Sequence, residues 1–129
     1  MRYRRAFIPG GSFFFTAVTE QRRSLFASAD AVGVLRTAFR AVQSTRPFEV
    51  DAIVVLPDHL HCIWTLPLGD ADFATRWRLI KAWFTKHSDP TLRIGPNRAR
   101  TAKQEQALWQ HRYWEHTLRD EADAIRHVE

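Results

Sequence analysis

The sequence predicts an α+β fold of the ferredoxin-like class, in which a split βαβ arrangement forms one antiparallel sheet with helices on one face. Stretches with strand character and stretches with helical periodicity follow one another in the order β-α-β-β-α-β-α, which is typical of that class. The length of 129 residues suits a single domain. No stretch approaches the roughly 20 apolar residues that a membrane span requires, so we expect no membrane association.

The first half of the pattern is a strand followed by a helix. Residues 12–19 are aromatic and β-branched, which predicts a strand. A helix is predicted from Asp30, because apolar residues recur there on one face at spacings of 3, 4 and 3. It should end before Pro47, since a proline disfavours helix in the residue that precedes it. The apolar positions of this helix are Val32, Leu35, Phe39 and Val42.

The second half predicts a hairpin, a second helix and a fourth strand. Residues 48–56 and 59–66 have strand character on either side of the turn signal Pro57-Asp58. After a polar loop over 88–103, residues 109–118 form an aromatic-rich strand, and Asp120 would cap a last helix over 120–129. The second helix has apolar positions spaced 4, 3 and 4, namely Phe73, Trp77, Ile80 and Phe84.

Charge and cysteine content restrict the environment and the partners. The net charge is +5, and residues 1–50 contain eight arginines against three acidic residues. A positive charge concentrated at one end of the chain suggests a polyanionic partner. It fits equally well a soluble protein with a basic N-terminal face. The single cysteine, Cys62, excludes an intrachain disulfide and fits a reducing cytoplasm.

The feature that carries chemistry is the histidine pair His59 and His61. Residues i and i+2 of a strand point to the same face, so the two imidazoles should project together, roughly 7 Å apart at the backbone. They could then converge on one divalent metal ion. Leu60, Cys62 and Trp64 would point the other way, into the core beneath the helices. The spacing alone fits equally well two half-exposed strand histidines without a function.

The surroundings of the pair resemble a known family. The run VVLPDHLH over 54–61 resembles the HUH motif of single-tyrosine transposases and relaxases. The longer segment 46–67 is similar, in particular, to the REP-associated tyrosine transposases of bacteria. The resemblance implies one HUH-type transposase domain over 1–129 and covers nearly all of the chain except 88–106. It continues in residues 72–81, residues 108–119, and the N-terminal arm with Arg4-Arg5 and Gly10-Gly11.

The resemblance also implies a mechanism. A divalent ion, Mg²⁺ or Mn²⁺, would sit on His59 and His61 and polarise the scissile phosphate, while a tyrosine attacks and forms a 5′-phosphotyrosine link. In the family that tyrosine belongs to a Tyr-Ile-x-x-Asn-Pro block, which also supplies a third metal ligand. Both are expected after Glu129, so we expect a fragment truncated just before the catalytic tyrosine, able to bind DNA but not to cleave it. Tyr113 is expected to pack in the fold rather than to attack.

The resemblance implies that the partner is single-stranded or hairpin DNA of repetitive extragenic palindromes. It places the protein in the bacterial cytoplasm, at the nucleoid, and slightly favours a monomer over a dimer. Candidate contacts in the arm would pair with phosphates or guanine edges and stack a base. Two basic residues flanking the apolar stripe of the second helix could meet the DNA backbone, and Glu115 or His116 could face the metal. The arm and helix candidates are Arg2, Tyr3, Arg4, Arg5, Arg76 and Lys81.

Three functions fit the sequence to different degrees. The first is a metal-dependent single-strand endonuclease and strand transferase. The second is a domesticated relative that grips repeat hairpins without cutting them. The third is a two-histidine phosphoesterase of RNA ends, which usually needs two separate His-x-Thr or His-x-Ser blocks. Neither His59-Leu60-His61 nor His116-Thr117-Leu118 matches that requirement.

Overall fold

A computed structural model of the protein describes residues 11–93 and 108–118. The predicted strands and helices within these ranges are confirmed, with boundaries that differ from the expected ones by a residue or so. The arm and the predicted last helix over 120–129 lie outside the described residues. The helices and strands are β1 (Ser12–Thr19), α1 (Ala29–Thr45), β2 (Glu49–Leu56), β3 (His59–Thr65), α2 (Phe73–His87) and β4 (Trp109–Leu118), with 3-10 turns at Glu20–Arg22, Leu25–Ala27 and Pro90–Arg93.

The four strands form one antiparallel sheet in the order β2-β3-β1-β4. This order, with α1 between β1 and β2 and α2 between β3 and β4, is the ferredoxin-like arrangement that the sequence predicts. The central pair is β1 and β3, whose register sets Phe15 opposite Cys62 and Thr16 opposite His61. Because paired residues share a face, this register decides which side chains of both strands meet on each side of the sheet.

Alternation along β1, and along β3 from His59 to Cys62, separates a buried face from an open face. Ile63 of β3 departs from it, because it is buried although the register sets it opposite Phe14 on the open face. Phe13, Phe15 and Ala17 of β1 are fully buried, as are Leu60 and Trp64 of β3. Both helices cover this face with apolar side chains, among which the α1 residue Val32 is only half-buried. The helical side chains that reach the core include Leu35, Phe39, Val42, Trp77, Ile80 and Phe84.

Aromatic contacts hold the helices on the sheet. The rings of Trp64 and Trp77 stack with centroids 4.7 Å apart, and Phe15 lies 4.6 Å from Trp64. Phe39 of α1 meets Trp77 of α2 edge to face at 6.0 Å. Each such pair contributes roughly 0.5–1.5 kcal/mol beyond the burial of its area. One face of the sheet thus packs in the core. The opposite face, which includes Phe14, is called the open face below.

Arg76 and Lys81 lie inside the fold and not on an exposed helix flank, which corrects the sequence-based expectation. Each is 2% exposed. Arg76 donates to the Asp70 carboxylate and to the carbonyls of Arg46 and Pro47, so its guanidinium joins α2 to the segment after α1. The buried face of α2 is wider than its apolar residues alone suggest, because it also includes Arg76 and Lys81, whose long side chains can bury their aliphatic stems.

Lys81 occupies an aromatic corner between α2 and β4. Its Nζ donates to the carbonyl of Gln110 at 3.2 Å and lies 5.1 Å from the Tyr113 ring and 5.8 Å from the Trp109 ring. Burial lowers the pKa of Lys81 to about 8, because desolvation penalises its charged form. Neither Arg76 nor Lys81 presents a free cation to DNA in this arrangement.

Lys81 makes stability depend on pH in a predictable direction. Its pKa is about 8 in the folded state and 10.5 in the unfolded chain, so the unfolded chain binds more protons between these values. Stability therefore rises with pH across that window, by up to about 3 kcal/mol from this group. In urea denaturation at pH 7.5 and pH 10.5, the free energy of unfolding of wild type should increase relative to that of Lys81→Met as the pH rises.

The exposed Lys86 of α2 offers the matched control. Urea denaturation of Lys86→Met under the same two conditions controls for the removal of one lysine from an exposed position of the same helix. Parallel pH profiles for wild type and Lys81→Met would contradict the burial of a charged Lys81.

Candidate metal centre

His59 and His61 lie side by side on the open face, at the start of β3. Their ring centroids are 4.9 Å apart and the ring planes meet at 80°. Both are half-buried, and they alternate with the buried Leu60 and Cys62. The structure thereby confirms the predicted alternation, with two imidazoles on one side of the strand and apolar side chains on the other.

The spacing of the two rings suits a shared metal ion. A metal–nitrogen bond of about 2.1 Å puts an ion about 3.2 Å from each ring centroid. Two rings at an angle of roughly 90–100° would then have centroids about 4.5–5 Å apart, and the observed separation lies within that interval. Among the described residues, no group of three or more His, Cys, Asp and Glu side chains could hold a metal. Within the described ranges, His59 and His61 would therefore supply two ligands to such an ion.

Asp58 engages one nitrogen of His59. The Nδ1 atom of His59 lies 2.7 Å from Asp58 Oδ1, and the other carboxylate oxygen accepts from Arg22 Nε at 3.0 Å. The hydrogen bond from His59 and the charge of Arg22 hold the pKa of the Asp58 carboxyl below its ordinary value. A carboxylate only accepts hydrogen bonds, so Nδ1 is the donor and Nε2 keeps its lone pair when His59 is neutral.

Thr16 engages the corresponding nitrogen of His61. Its Oγ1 lies 2.8 Å from His61 Nδ1, and the Phe14 ring stacks on the imidazole at 5.6 Å and 18°. Burial, and secondarily the charge of His59, lower the pKa of His61. The neutral imidazole that a metal requires is therefore the favoured form at neutral pH.

The edge strand β2 gives the pair an apolar flank. Val54 is opposite His61 in the register and Leu56 is opposite His59. Their side chains remain 48% and 36% exposed. The open face near the histidines therefore combines two imidazoles with a flank of exposed apolar side chains.

The remaining predicted site residues are distributed differently. Tyr113 packs against Phe15 at 6.0 Å and Trp77 at 5.6 Å, on the helix-covered face and away from the histidines, as its expected packing role requires. Glu115 is opposite Phe15 in the register and so belongs to that same face. The register sets His116 opposite Phe14, but its side chain lies outside the described part of the structure.

The candidate DNA contacts fall into two groups. The arm residues Arg2, Tyr3, Arg4 and Arg5 lie outside the described residues, so their role stays a prediction. Arg76 and Lys81 are buried and bonded within the fold, as described above.

Three residues around the pair were not singled out from the sequence. Asp58 was visible only as part of the turn signal Pro57-Asp58, and no local pattern indicates Arg22. Thr16 could have been found from the pairing of β1 with β3, because that register sets it opposite His61. The sequence contains no direct signal for that register.

Comparison with known proteins decides the family. No protein-family model matches the chain. Over 127 residues it is 44% identical to the REP-associated tyrosine transposase of Escherichia coli K12, an alignment that covers 98% of this chain and 67% of that protein. The chain belongs to the REP-associated tyrosine transposase family. A candidate family member from Haemophilus influenzae is 36% identical over 127 residues, covering 98% of this chain and 71% of its own.

Solved structures agree with the family assignment. A REP-associated tyrosine transposase bound to a REP hairpin matches with a TM-score of 0.76 and 44% identity, covering 99% of this chain and 68% of that one. A candidate transposase from Deinococcus radiodurans matches with a TM-score of 0.66 and 16% identity over 99% of this chain and 94% of its own, which supports the fold alone.

Neither α1 nor α2, nor any other helix in the described ranges, has the length and apolar character of a membrane-spanning helix.

Proposed function

We propose that this REP-associated tyrosine transposase chain binds hairpin DNA of repetitive extragenic palindromes and holds a divalent metal ion on His59 and His61. For the whole protein, the reaction that the family resemblance implies is single-strand cleavage and strand transfer through a 5′-phosphotyrosine intermediate. The observation that supports the metal site most is the adjacent pair of imidazoles, each with Nδ1 occupied by a hydrogen bond. Support for the hairpin comes from the similar transposase that is bound to one.

The residues present fit a metal of the Mg²⁺ or Mn²⁺ type. His59 and His61 would hold it through Nε2, and imidazole ligands favour Mn²⁺ while availability favours Mg²⁺. When bound, such an ion acts as a Lewis acid on the scissile phosphate. The apolar side chains of Val54 and Leu56 would limit water access to one side of that site.

The 129 residues contain two tyrosines, Tyr3 and Tyr113. Tyr113 packs among core aromatics on the face opposite the histidines, where it cannot reach a phosphate held by them. The family resemblance assigns the nucleophile to a Tyr-Ile-x-x-Asn-Pro block, and these residues contain no such block. We therefore propose that residues 1–129 bind hairpin DNA without cleaving it.

A non-cleaving module that only grips repeat hairpins is the second candidate. It is favoured by the packing of Tyr113, the one tyrosine among the described residues, because Tyr113 lies on the helix-covered face and not on the open face. The histidine pair favours the metal-dependent candidate, because a module that only binds hairpins has no need of two adjacent imidazoles whose Nδ1 atoms both have hydrogen-bond partners.

The first prediction concerns the form of the DNA. A folded repeat hairpin that carries its 5′ single-stranded flank should bind at least tenfold more tightly than an unstructured strand of equal length. Fluorescence anisotropy at one fixed salt concentration measures both, since backbone contacts are salt-dependent. Equal affinities would argue against hairpin recognition.

The second prediction concerns the metal. Co²⁺ is a suitable probe because it binds imidazole more tightly than Mn²⁺ does. Calorimetric titration should show a site that is weakened at least tenfold in His59→Ala and in His61→Ala. The matched control is His87→Ala, since exposed His87 contacts Trp83 on α2 and lies apart from the pair. A Co²⁺ affinity that survives both substitutions in the pair would refute the metal site.

The third prediction concerns cleavage. Residues 1–129 incubated with Mn²⁺ and a flanked hairpin should form no covalent protein–DNA adduct on a denaturing gel. An adduct would contradict the proposal, and its loss in Tyr113→Phe or Tyr3→Phe would identify the nucleophile.

A further inference from the structure

We propose that Asp58 and Thr16 are positioning residues that keep the proton of each imidazole on Nδ1, so that His59 and His61 present Nε2 to the metal. This inference rests on the proposed function of the pair. It adds a requirement that neither the family resemblance nor the spacing of the histidines contains. Two imidazoles on one face form a metal site only when the correct nitrogen of each is unprotonated.

The turn that carries Asp58 is anchored by backbone and side-chain hydrogen bonds. The N–H of buried Thr19 donates to the Asp58 carbonyl at 3.0 Å. The Thr19 hydroxyl, which has one proton to donate, lies 2.7 Å from the Arg23 carbonyl and 3.0 Å from the Asp58 carbonyl, so it ties the two turns together. The N–H of Phe26 donates to the carbonyl of Pro57 at 2.9 Å. The carboxylate therefore projects from a fixed point at the end of β1, one residue before the imidazole that it accepts from.

Arg22 completes the support of Asp58, and the chain is strained where it does so. Gln21 and Arg22 have φ values of 55° and 53°, in the left-handed region that non-glycine residues seldom adopt. Backbone strain of this kind costs of order 1–3 kcal/mol per residue and concentrates at functional sites. In this conformation the Arg22 Nε donates to Asp58 Oδ2 at 3.0 Å. Asp58 is thus held from two sides, by a guanidinium and by an imidazole.

Thr16 acts on His61 through the register of the sheet. The two residues are directly opposed on β1 and β3, and a β-branched threonine has a restricted χ1 angle. Its hydroxyl is able either to accept from Nδ1–H or to donate to Nδ1. Only the first arrangement leaves the Nε2 lone pair free for a metal, and we assign that one.

Loss of the Asp58 or Thr16 side chain should move the proton of the neighbouring imidazole from Nδ1 toward Nε2. A free neutral imidazole prefers its proton on Nε2, the nitrogen that must be bare for the metal. Removing a hydrogen-bond partner of this kind typically weakens metal binding 10- to 100-fold. The two partners act on different rings, so each substitution should alter the tautomer of its own histidine and leave the other unchanged.

The direct test reads the tautomers in the metal-free protein. Long-range ¹H–¹⁵N NMR spectra of ¹⁵N-histidine-labelled protein at pH 8 distinguish a proton on Nδ1 from one on Nε2. Wild type should show Nδ1–H for both His59 and His61. Asp58→Ala should shift the proton of His59 toward Nε2, and Thr16→Val should do the same for His61.

Co²⁺ affinity provides the second readout. Asp58→Ala and Thr16→Val should each weaken Co²⁺ binding at least tenfold. Asp58→Asn and Thr16→Ser keep an oxygen acceptor, so they should restore both the tautomer and most of the affinity. Thr65→Val is the matched control, because Thr65 is also a strand threonine of the open face but bonds to Ser12 and Asp51. Thermal melting of each variant reports whether the fold persists.

The outcomes separate this inference from the proposed function. A wild type with the proton of either ring on Nε2 overturns the inference. So do Asp58→Ala and Thr16→Val proteins that keep wild-type tautomers or wild-type Co²⁺ affinity. If wild type binds no Co²⁺ through His59 and His61, the proposed metal function fails, and the NMR spectra still decide whether Asp58 and Thr16 fix the tautomers.

Discussion

The antiparallel pairing of β1 with β3 is the constraint on which the rest of the structure depends. One register sets Phe15 against Cys62 and, one residue later, Thr16 against His61. A shift of one residue would turn every side chain of the strand to the opposite face. The same hydrogen-bonded ladder therefore builds the aromatic core on one side and gives His61 its partner on the other.

The core in turn fixes the direction of the open face. Phe15, Trp64 and Trp77 form a continuous aromatic contact beneath the helices, so neither strand can slide without exposing large rings. Asp58 and Arg22 attach to this frame through the end of β1 and the turn before β3. The geometry of the histidine pair is consequently a property of the sheet and of its connections, and not of the His-Leu-His sequence alone.

Much of this architecture could be predicted from the sequence, and the reasons are physical. The aromatic run of β1, the spacing of Leu35 and Phe39, and the Pro57-Asp58 turn each limit the local backbone strongly. The alternation of histidines with Leu60 and Cys62 correctly predicted two imidazoles on one face. These are local signals, which depend on residues close together in the chain.

The features that sequence reasoning missed depend on contacts between distant parts of the chain. The sequence around Arg76 predicts a surface cation, whereas its guanidinium donates to the Asp70 carboxylate and to the carbonyls of Arg46 and Pro47, which are distant or irregular parts of the chain. Lys81 likewise buries its ammonium group beside Tyr113. Charge alone predicts exposure, and only tertiary structure reveals that acceptors and ring faces replace the lost water.

We propose that His59 and His61 jointly bind one divalent metal ion through Nε2. Anomalous X-ray diffraction from crystals of this chain soaked in Mn²⁺ can locate such an ion. We expect an anomalous peak within bonding distance of both Nε2 atoms, with both Nδ1 atoms still bonded to Asp58 and Thr16. A peak elsewhere, or coordination through either Nδ1 atom, would contradict it.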